Sequence, residues 1–184
     1  KKNKILISAC LLGCKVRYDG RDNLIDSNFI KRLQQQGRLV PVCPEQEGGL
    51  PTPRAPAEIQ DKFPLRLTSI DGEDVTPQFL SGAEKTLEIA QREGCCCALL
   101  KSRSPSCSNL EVYDGNFSDT IKAGSGATAD ELMRNGFPVY NERQLYQLIE
   151  FFELLDGGES DFGRRKNWPP SHTPRKHQIT DKLH

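Results

Sequence analysis

The chain has 184 residues, with 25 Lys and Arg against 25 Asp and Glu and a formal net charge of zero, which excludes broad electrostatic capture of nucleic acid or anionic lipid. No apolar run nears the roughly 20 residues a membrane span needs, and the apolar part of KKNKILISAC is too short for a secretory signal. The expectation is a cytoplasmic protein acting on a small molecule, in which the seven cysteines stay reduced. Their odd number and irregular spacing oppose a disulfide framework, and a domain of this length needs no staples, so metal binding or thiol catalysis is left for them.

Lys4 to Ala9 (KILISA) is rich in Ile and Leu with little alternation, the pattern of a buried strand, and Cys10 follows at its tip. LLGCKVRYDGRDNL carries turn formers and reads as a loop. Ser27 then caps a helix through Phe29, Ile30 and Leu33, stopped by Gly37. Leu39, Val40 and Val42 form a second strand ended by Pro44, which puts Cys43 at its carboxyl tip, two residues before Glu45. A Gly-Pro-rich loop continues through Pro51, Pro53 and Pro56 to Ile59, and FPLRLTSIDGEDV predicts a small hairpin turning at Asp71-Gly72.

Thr76 as cap and Pro77 in the first turn start a helix, with Phe79, Leu80, Ala83, Leu87 and Ala90 at helical spacing up to Gly94. Cys95 to Leu100 (CCCALL) is a third strand, and the KSRSPSC segment after it places Cys107 in a loop beyond its tip. Tyr113-Asp114-Gly115 is a turn and Gly124 to Gly126 a link. Thr128 and Glu131 make a capping box for a helix through Leu132 and Met133 to Gly136. Phe137 to Tyr140 is a fourth strand, and Asn141 caps a helix through Leu145, Leu148, Ile149 and Phe152. From Asp156 to His184 aliphatics are few and charge, Gly and Pro are frequent, so residues 1–155 form the domain and 156–184 a tail, whose His172 and His177 are not expected to bind metal.

Four alternations of strand and helix predict an α/β fold: one Rossmann-like domain with a mostly parallel sheet of about four strands, flanking helices and an irregular C-terminal tail. Right-handed crossovers put the strand tips on one edge, so Cys10, Cys43 and Cys107 converge there. Three thiolates suit zinc or an iron–sulfur cluster, and spacing does not choose between them; a cluster with three protein ligands leaves one iron open. Cys14, four residues after Cys10, is the rival fourth ligand, whereas Cys95, Cys96 and Cys97 read as small core side chains. Glu45 is either a solvated loop acid or a general acid or base beside a metal centre. Ser102, Ser104 and Ser106 are turn residues or substrate-orienting hydroxyls. Arg17, Arg54 and Lys101 flank the thiol loops as candidate anion binders, and Gly48 and Gly49 let backbone amides approach a ligand.

The segments SACLLGCKVRYDG, PVCPEQEGGLPTPRAPAEI, LKSRSPSC, YDGNF and GATADELMRNG resemble, in that order, the motifs of a small bacterial family whose characterised members are thiouracil desulfidases. The likeness runs from Ile5 to Leu148. It implies a [4Fe-4S] cluster held by Cys10, Cys43 and Cys107 with an open fourth iron, and conversion of a thiolated pyrimidine to uracil plus sulfide without net redox. It further implies Glu45 as proton shuttle and Ser104 as the residue orienting substrate or water, with Ser106 the runner-up. Cys14 falls where the family motif requires no cysteine. One departure is Ser108, where the motif reads SPSCG. Two other classes remain at this point: a zinc- or thiol-based redox or binding protein, and an iron–sulfur protein that transfers sulfur without desulfidase turnover.

Overall fold

A computed structural model of the chain describes residues 2–156. At its centre is a parallel sheet of four strands in the order β2-β1-β5-β8, with β1 at Lys4–Ser8, β2 at Leu39–Val42, β5 at Cys95–Leu100 and β8 at Val139–Asn141. These are the four expected strands, and the order reverses at β1, so an open crevice lies above the tips of β1 and β5. The sheet is covered on both faces, which is why β1 is apolar from Ile5 to Ile7 and β5 along its whole length. On one face Ile5 and Ile7 pack with Phe29, Ile30 and Leu33 of α1 (Asn28–Gln35) and with Leu148 and Phe152 of α5 (Leu145–Asp156). Phe29 and Phe152 meet edge to face at 5.8 Å. On the other face Leu6, Ala98 and Leu100 pack with Ala90 of α3 (Thr76–Arg92) and Ala129 and Leu132 of α4 (Ala127–Arg134). Ile5, Leu6 and Ile7 are wholly buried, each contributing about 1.5–3 kcal/mol by leaving water.

The three adjacent cysteines of β5 do not alternate simply. Lys4 pairs with Cys95 but Ile5 pairs with Cys97, so Cys96 is an extra residue in the ladder. The bulge shifts the parity of the strand: Cys95 joins the α3/α4 face, while Cys97 joins the α1/α5 face and Cys96 packs against it.

Between β2 and β8 the chain adds two antiparallel hairpins that the sequence only partly announces. β3 (Ala57–Lys62) pairs with β4 (Leu65–Ser69), reversing at Phe63-Pro64 and not at Asp71-Gly72 as expected. The reason is burial: this register brings Ile59 and Leu67 together against Phe79. Asp71-Gly72 makes a tight turn after β4, with the Gly72 amide donating to the Ser69 carbonyl at 2.9 Å. The second hairpin, β6 (Glu111–Tyr113) with β7 (Ile121–Ala123), was not expected beyond its turn residues. A short helix, α2 (Pro44–Glu47), replaces the expected start of a loop after β2.

Three helix starts differ from expectation. Ser27 caps α1 as read, its hydroxyl accepting from the Ile30 amide at 3.3 Å. The N-cap of α3, however, is Val75; Thr76 lies in the helix and its hydroxyl accepts instead from the Leu67 amide at 2.9 Å. The N-cap of α4 is Gly126, not Thr128, whose buried hydroxyl has no hydrogen-bond partner among the described residues. Asn141 ends β8 and shapes the turn before α5, its side-chain oxygen accepting from the Arg143 amide at 2.9 Å. No helix among the described residues is long and apolar enough to cross a membrane. The tail expected over 156–184, with His172 and His177, lies outside the described residues apart from Asp156, which ends α5.

Candidate active site

A cavity of about 450 Å³ opens at the carboxyl ends of β1, β2 and β5, and Cys10, Cys43 and Cys107 all line it. Each thiol is delivered differently. Cys10 sits in a single 3-10 turn (Ala9–Leu12) rather than in an open loop, and the Asn23 amide donates to its carbonyl at 2.8 Å. Cys43 is the N-cap residue of α2, its sulfur 3.8 Å from the Val16 carbonyl. Cys107 follows β5 and receives the hydroxyls of Ser8 at 3.4 Å and Ser106 at 3.5 Å. Burial pushes the Cys10 thiol up to about 11 and that of Cys107 to about 12, and it raises Cys43 as well. A group that binds these sulfurs as thiolates must therefore bring the positive charge that displaces their protons. Cys14 is exposed and does not line the cavity. Nor do Cys95, Cys96 and Cys97, which pack in the core.

Beside the thiols lies a connected set of polar groups. One carboxylate oxygen of Glu45 accepts from Arg54 Nε at 3.0 Å and the other from the Ser106 hydroxyl at 2.9 Å. Ser106 Oγ is also 3.0 Å from Ser104 Oγ, so Ser104, Ser106 and Glu45 form an unbroken line of exchangeable protons. Ser104 is half-buried and faces the cavity, whereas Ser106 is almost wholly buried.

The loop carrying these serines is held by α4. The amides of Ala127, Thr128 and Ala129 donate to the carbonyls of Pro105 and Ser106 at 2.9–3.1 Å, which satisfies the open end of the helix without a side-chain cap. The approach is so close that a Cβ on Gly126 would lie 2.5 Å from the Ser106 carbonyl carbon. This contact explains both the glycine and the failure of the expected Thr128 box. Ser108 fits without strain: its backbone is not left-handed, and its hydroxyl is bonded to the Glu111 carbonyl.

The cationic candidates line the cavity, but their donors are largely committed inside the protein. Arg54 uses all three guanidinium nitrogens, on Glu45, on the Pro51 carbonyl and Thr52 hydroxyl, and on the Val16 carbonyl. Lys101 Nζ bonds Glu142 at 2.9 Å and the carbonyl and hydroxyl of Ser102. Arg17 bonds Asn23 and pairs with Asp19 at 3.2 Å. Gly48 does not line the cavity; its amide donates to Pro44, and a Cβ there would lie 1.9 Å from the Gln78 carbonyl oxygen, so it is small because α2 packs against α3.

Sequence reasoning missed Glu142, which also accepts from the Ser102 amide at 2.8 Å. Burial works to raise its carboxyl, but bonds from Ser102 and Lys101 outweigh that and hold it below its ordinary value. It also missed Ser8, which accepts from the Lys101 amide at 2.9 Å, and the cavity-lining Glu58 and Phe117. Ser8 had a signal in its place beside Cys10 at a strand tip; Glu58 and Phe117 stand inside the segments PVCPEQEGGLPTPRAPAEI and YDGNF that carry the family resemblance, but neither segment shows that its hairpin will meet the other, so the sequence assigns them no role.

The fold and the cavity define an α/β protein with a thiol-lined site at its strand tips. The chain belongs to the 2-thiouracil desulfurase family, whose model matches residues 5–144. It is 38% identical over 152 residues to the uncharacterized protein YbbK of Bacillus subtilis (strain 168), spanning 79% of this chain and 99% of that one. It is also similar to the solved structure of the [4Fe-4S]-dependent thiouracil desulfidase TudS, with 44% identity and a TM-score of 0.80 over 83% of this chain and 99% of the other.

Proposed function

We propose that this chain is a [4Fe-4S]-dependent desulfidase that exchanges the sulfur of a thiouracil-type pyrimidine for the oxygen of water, C=S + H₂O giving C=O + H₂S with no net electron transfer. The observation that carries the reading is the meeting of Cys10, Cys43 and Cys107 with the line Ser104, Ser106 and Glu45 in one cavity. The donor set fits a cluster better than zinc. The three donors are all thiols, delivered by separate elements around one cavity, which suits a cluster that presents its irons at separate corners and takes a thiolate at each. Family membership and the likeness to TudS support the same choice.

Cys10, Cys43 and Cys107 would hold the cluster, and Cys14, exposed outside the cavity, would not. When bound, the cluster supplies a thiophilic Lewis acid that polarises the thiocarbonyl. Glu45, held at both oxygens, accepts a proton from the attacking water. Ser104, at the cavity end of the serine line, orients substrate or water, and Ser106 carries the proton between that hydroxyl and the carboxylate. Arg54 fixes the rotamer of Glu45, and Lys101 with Glu142 fixes the loop that leads to Cys107.

Anaerobic reconstitution with iron and sulfide tests this directly. The expected result is a brown protein with about four irons per chain that releases sulfide from 2-thiouracil. A colourless protein that binds zinc stoichiometrically, or a loaded protein that leaves thiouracils intact, overturns it.

A further inference from the structure

Among the described residues three non-glycine residues have a left-handed backbone: Arg103 (φ 61°), Phe117 (φ 54°) and Asp119 (φ 59°). All three line the active-site cavity. That conformation is unfavourable for a bulky side chain and persists only where the surroundings impose it, which makes such outliers pointers to function. At Phe117 the imposing group is identifiable. Glu58, on β3 and 8% exposed, sends one carboxylate oxygen to the amides of both Gly115 (2.9 Å) and Phe117 (3.2 Å). Gln60, from the same strand, donates to the Gly115 carbonyl at 2.9 Å. One hairpin thus fixes the tip of the other and makes an aromatic residue part of the cavity wall.

We propose that Phe117 is the surface on which the planar ring of the substrate stacks, and that Glu58 is the positioning residue that holds it there. The inference rests on the desulfidase reading above and adds a binding determinant to it. The polar groups of the site address the sulfur and the water; a flat heterocycle also needs its faces covered, and an aromatic side chain does so for any pyrimidine. Glu58 acts through the loop backbone and touches no reacting atom. Its charge is not what the role requires, since two amides need only an acceptor oxygen, which glutamine also supplies.

The test uses reconstituted holoenzyme, sulfide release from 2-thiouracil, and competition by uracil and by 5,6-dihydrouracil, which lacks the aromatic plane. Phe117→Leu is expected to raise KM about tenfold, as loss of one stacked base would, with kcat within twofold. It should also erase the wild-type preference for uracil over 5,6-dihydrouracil as inhibitor, while Phe117→Tyr retains both properties. Glu58→Leu should reproduce the KM rise and Glu58→Gln should not, and adding Phe117→Leu to Glu58→Leu should cost little more than either alone. An unchanged KM in Phe117→Leu, an equal loss in Phe117→Tyr, or a Glu58→Gln variant as impaired as Glu58→Leu overturns the proposal while leaving the desulfidase reading intact. Wild-type enzyme that releases no sulfide overturns both.

Discussion

Two sets of cysteines share this chain and meet different fates. Cys10, Cys43 and Cys107 stand one per strand tip around a cavity, whereas Cys95, Cys96 and Cys97 stand together inside β5. Burial raises the thiols of Cys95 and Cys107 alike, to about 12 in each case, so a buried, raised thiol does not by itself mark a site. Position does. Parallel strands deliver side chains to a shared edge, and a centre placed there reaches three elements far apart in sequence. The consecutive cysteines, divided between two faces of the sheet by the bulge at Cys96, do not surround any space.

The sharpest way to break this comparison is to remove one thiol from each set. Cys43→Ala is expected to abolish cluster loading, measured as iron and sulfide per chain, because the half-buried Cys43 is one of the three thiols proposed to hold the cluster. Cys97→Ala should keep the stoichiometry of the wild type and lower stability by on the order of 1 kcal/mol, the scale of a small cavity at a wholly buried position. Full loading in Cys43→Ala would refute the ligand assignment. Loss of loading in Cys97→Ala, with the fold intact by circular dichroism, would make the core cysteines part of the site.

The next effect in size separates holding the centre from using it. Glu45→Gln should load normally yet lose roughly 10²–10⁴-fold in kcat, the range of a missing general base. Ser106→Ala should fall between this variant and the wild type, since it breaks the line at its middle but leaves the carboxylate in place. A Glu45→Gln enzyme with wild-type turnover would move the proton to another group.

How much of this was legible beforehand follows the same division. The four sheet strands, the α1 cap at Ser27 and the strand-tip placement of the three thiols could be read because each depends on a local apolar run and the punctuation after it. What escaped depends on partners distant in sequence. Thr128 has the spacing of a capping box, but the α4 amides are taken by carbonyls of the loop around Ser106, more than twenty residues upstream. Asp71-Gly72 has the residues of a hairpin turn, but burying Ile59 against Phe79 selects a different reversal. Arg54 and Lys101 read as free cations because nothing in their neighbourhood shows that Glu45 and Glu142 will meet them.

Glu142 extends the comparison to the fourth strand. β8 brings a carboxylate to the edge where the tips of β1, β2 and β5 bring thiols, and this carboxylate grips Lys101 and Ser102 at the root of the Cys107 loop. Its carboxyl is held below the ordinary 4.5 in the folded chain. A group whose folded value is depressed contributes stability that is present above its unfolded value and is lost as pH falls through the folded one. Cluster-free wild type should therefore lose stability below about pH 4.5 through this residue, and Glu142→Gln should lose less over the same interval in urea unfolding. At neutral pH the variant should be weaker by about 1–3 kcal/mol, because Lys101 and the Ser102 amide lose a charged acceptor. If instead the two proteins differ by a constant amount from neutral pH down through the carboxylate range, the ion pair does not secure the loop, and Cys107 is held in place by Ser8 and the α4 amides alone.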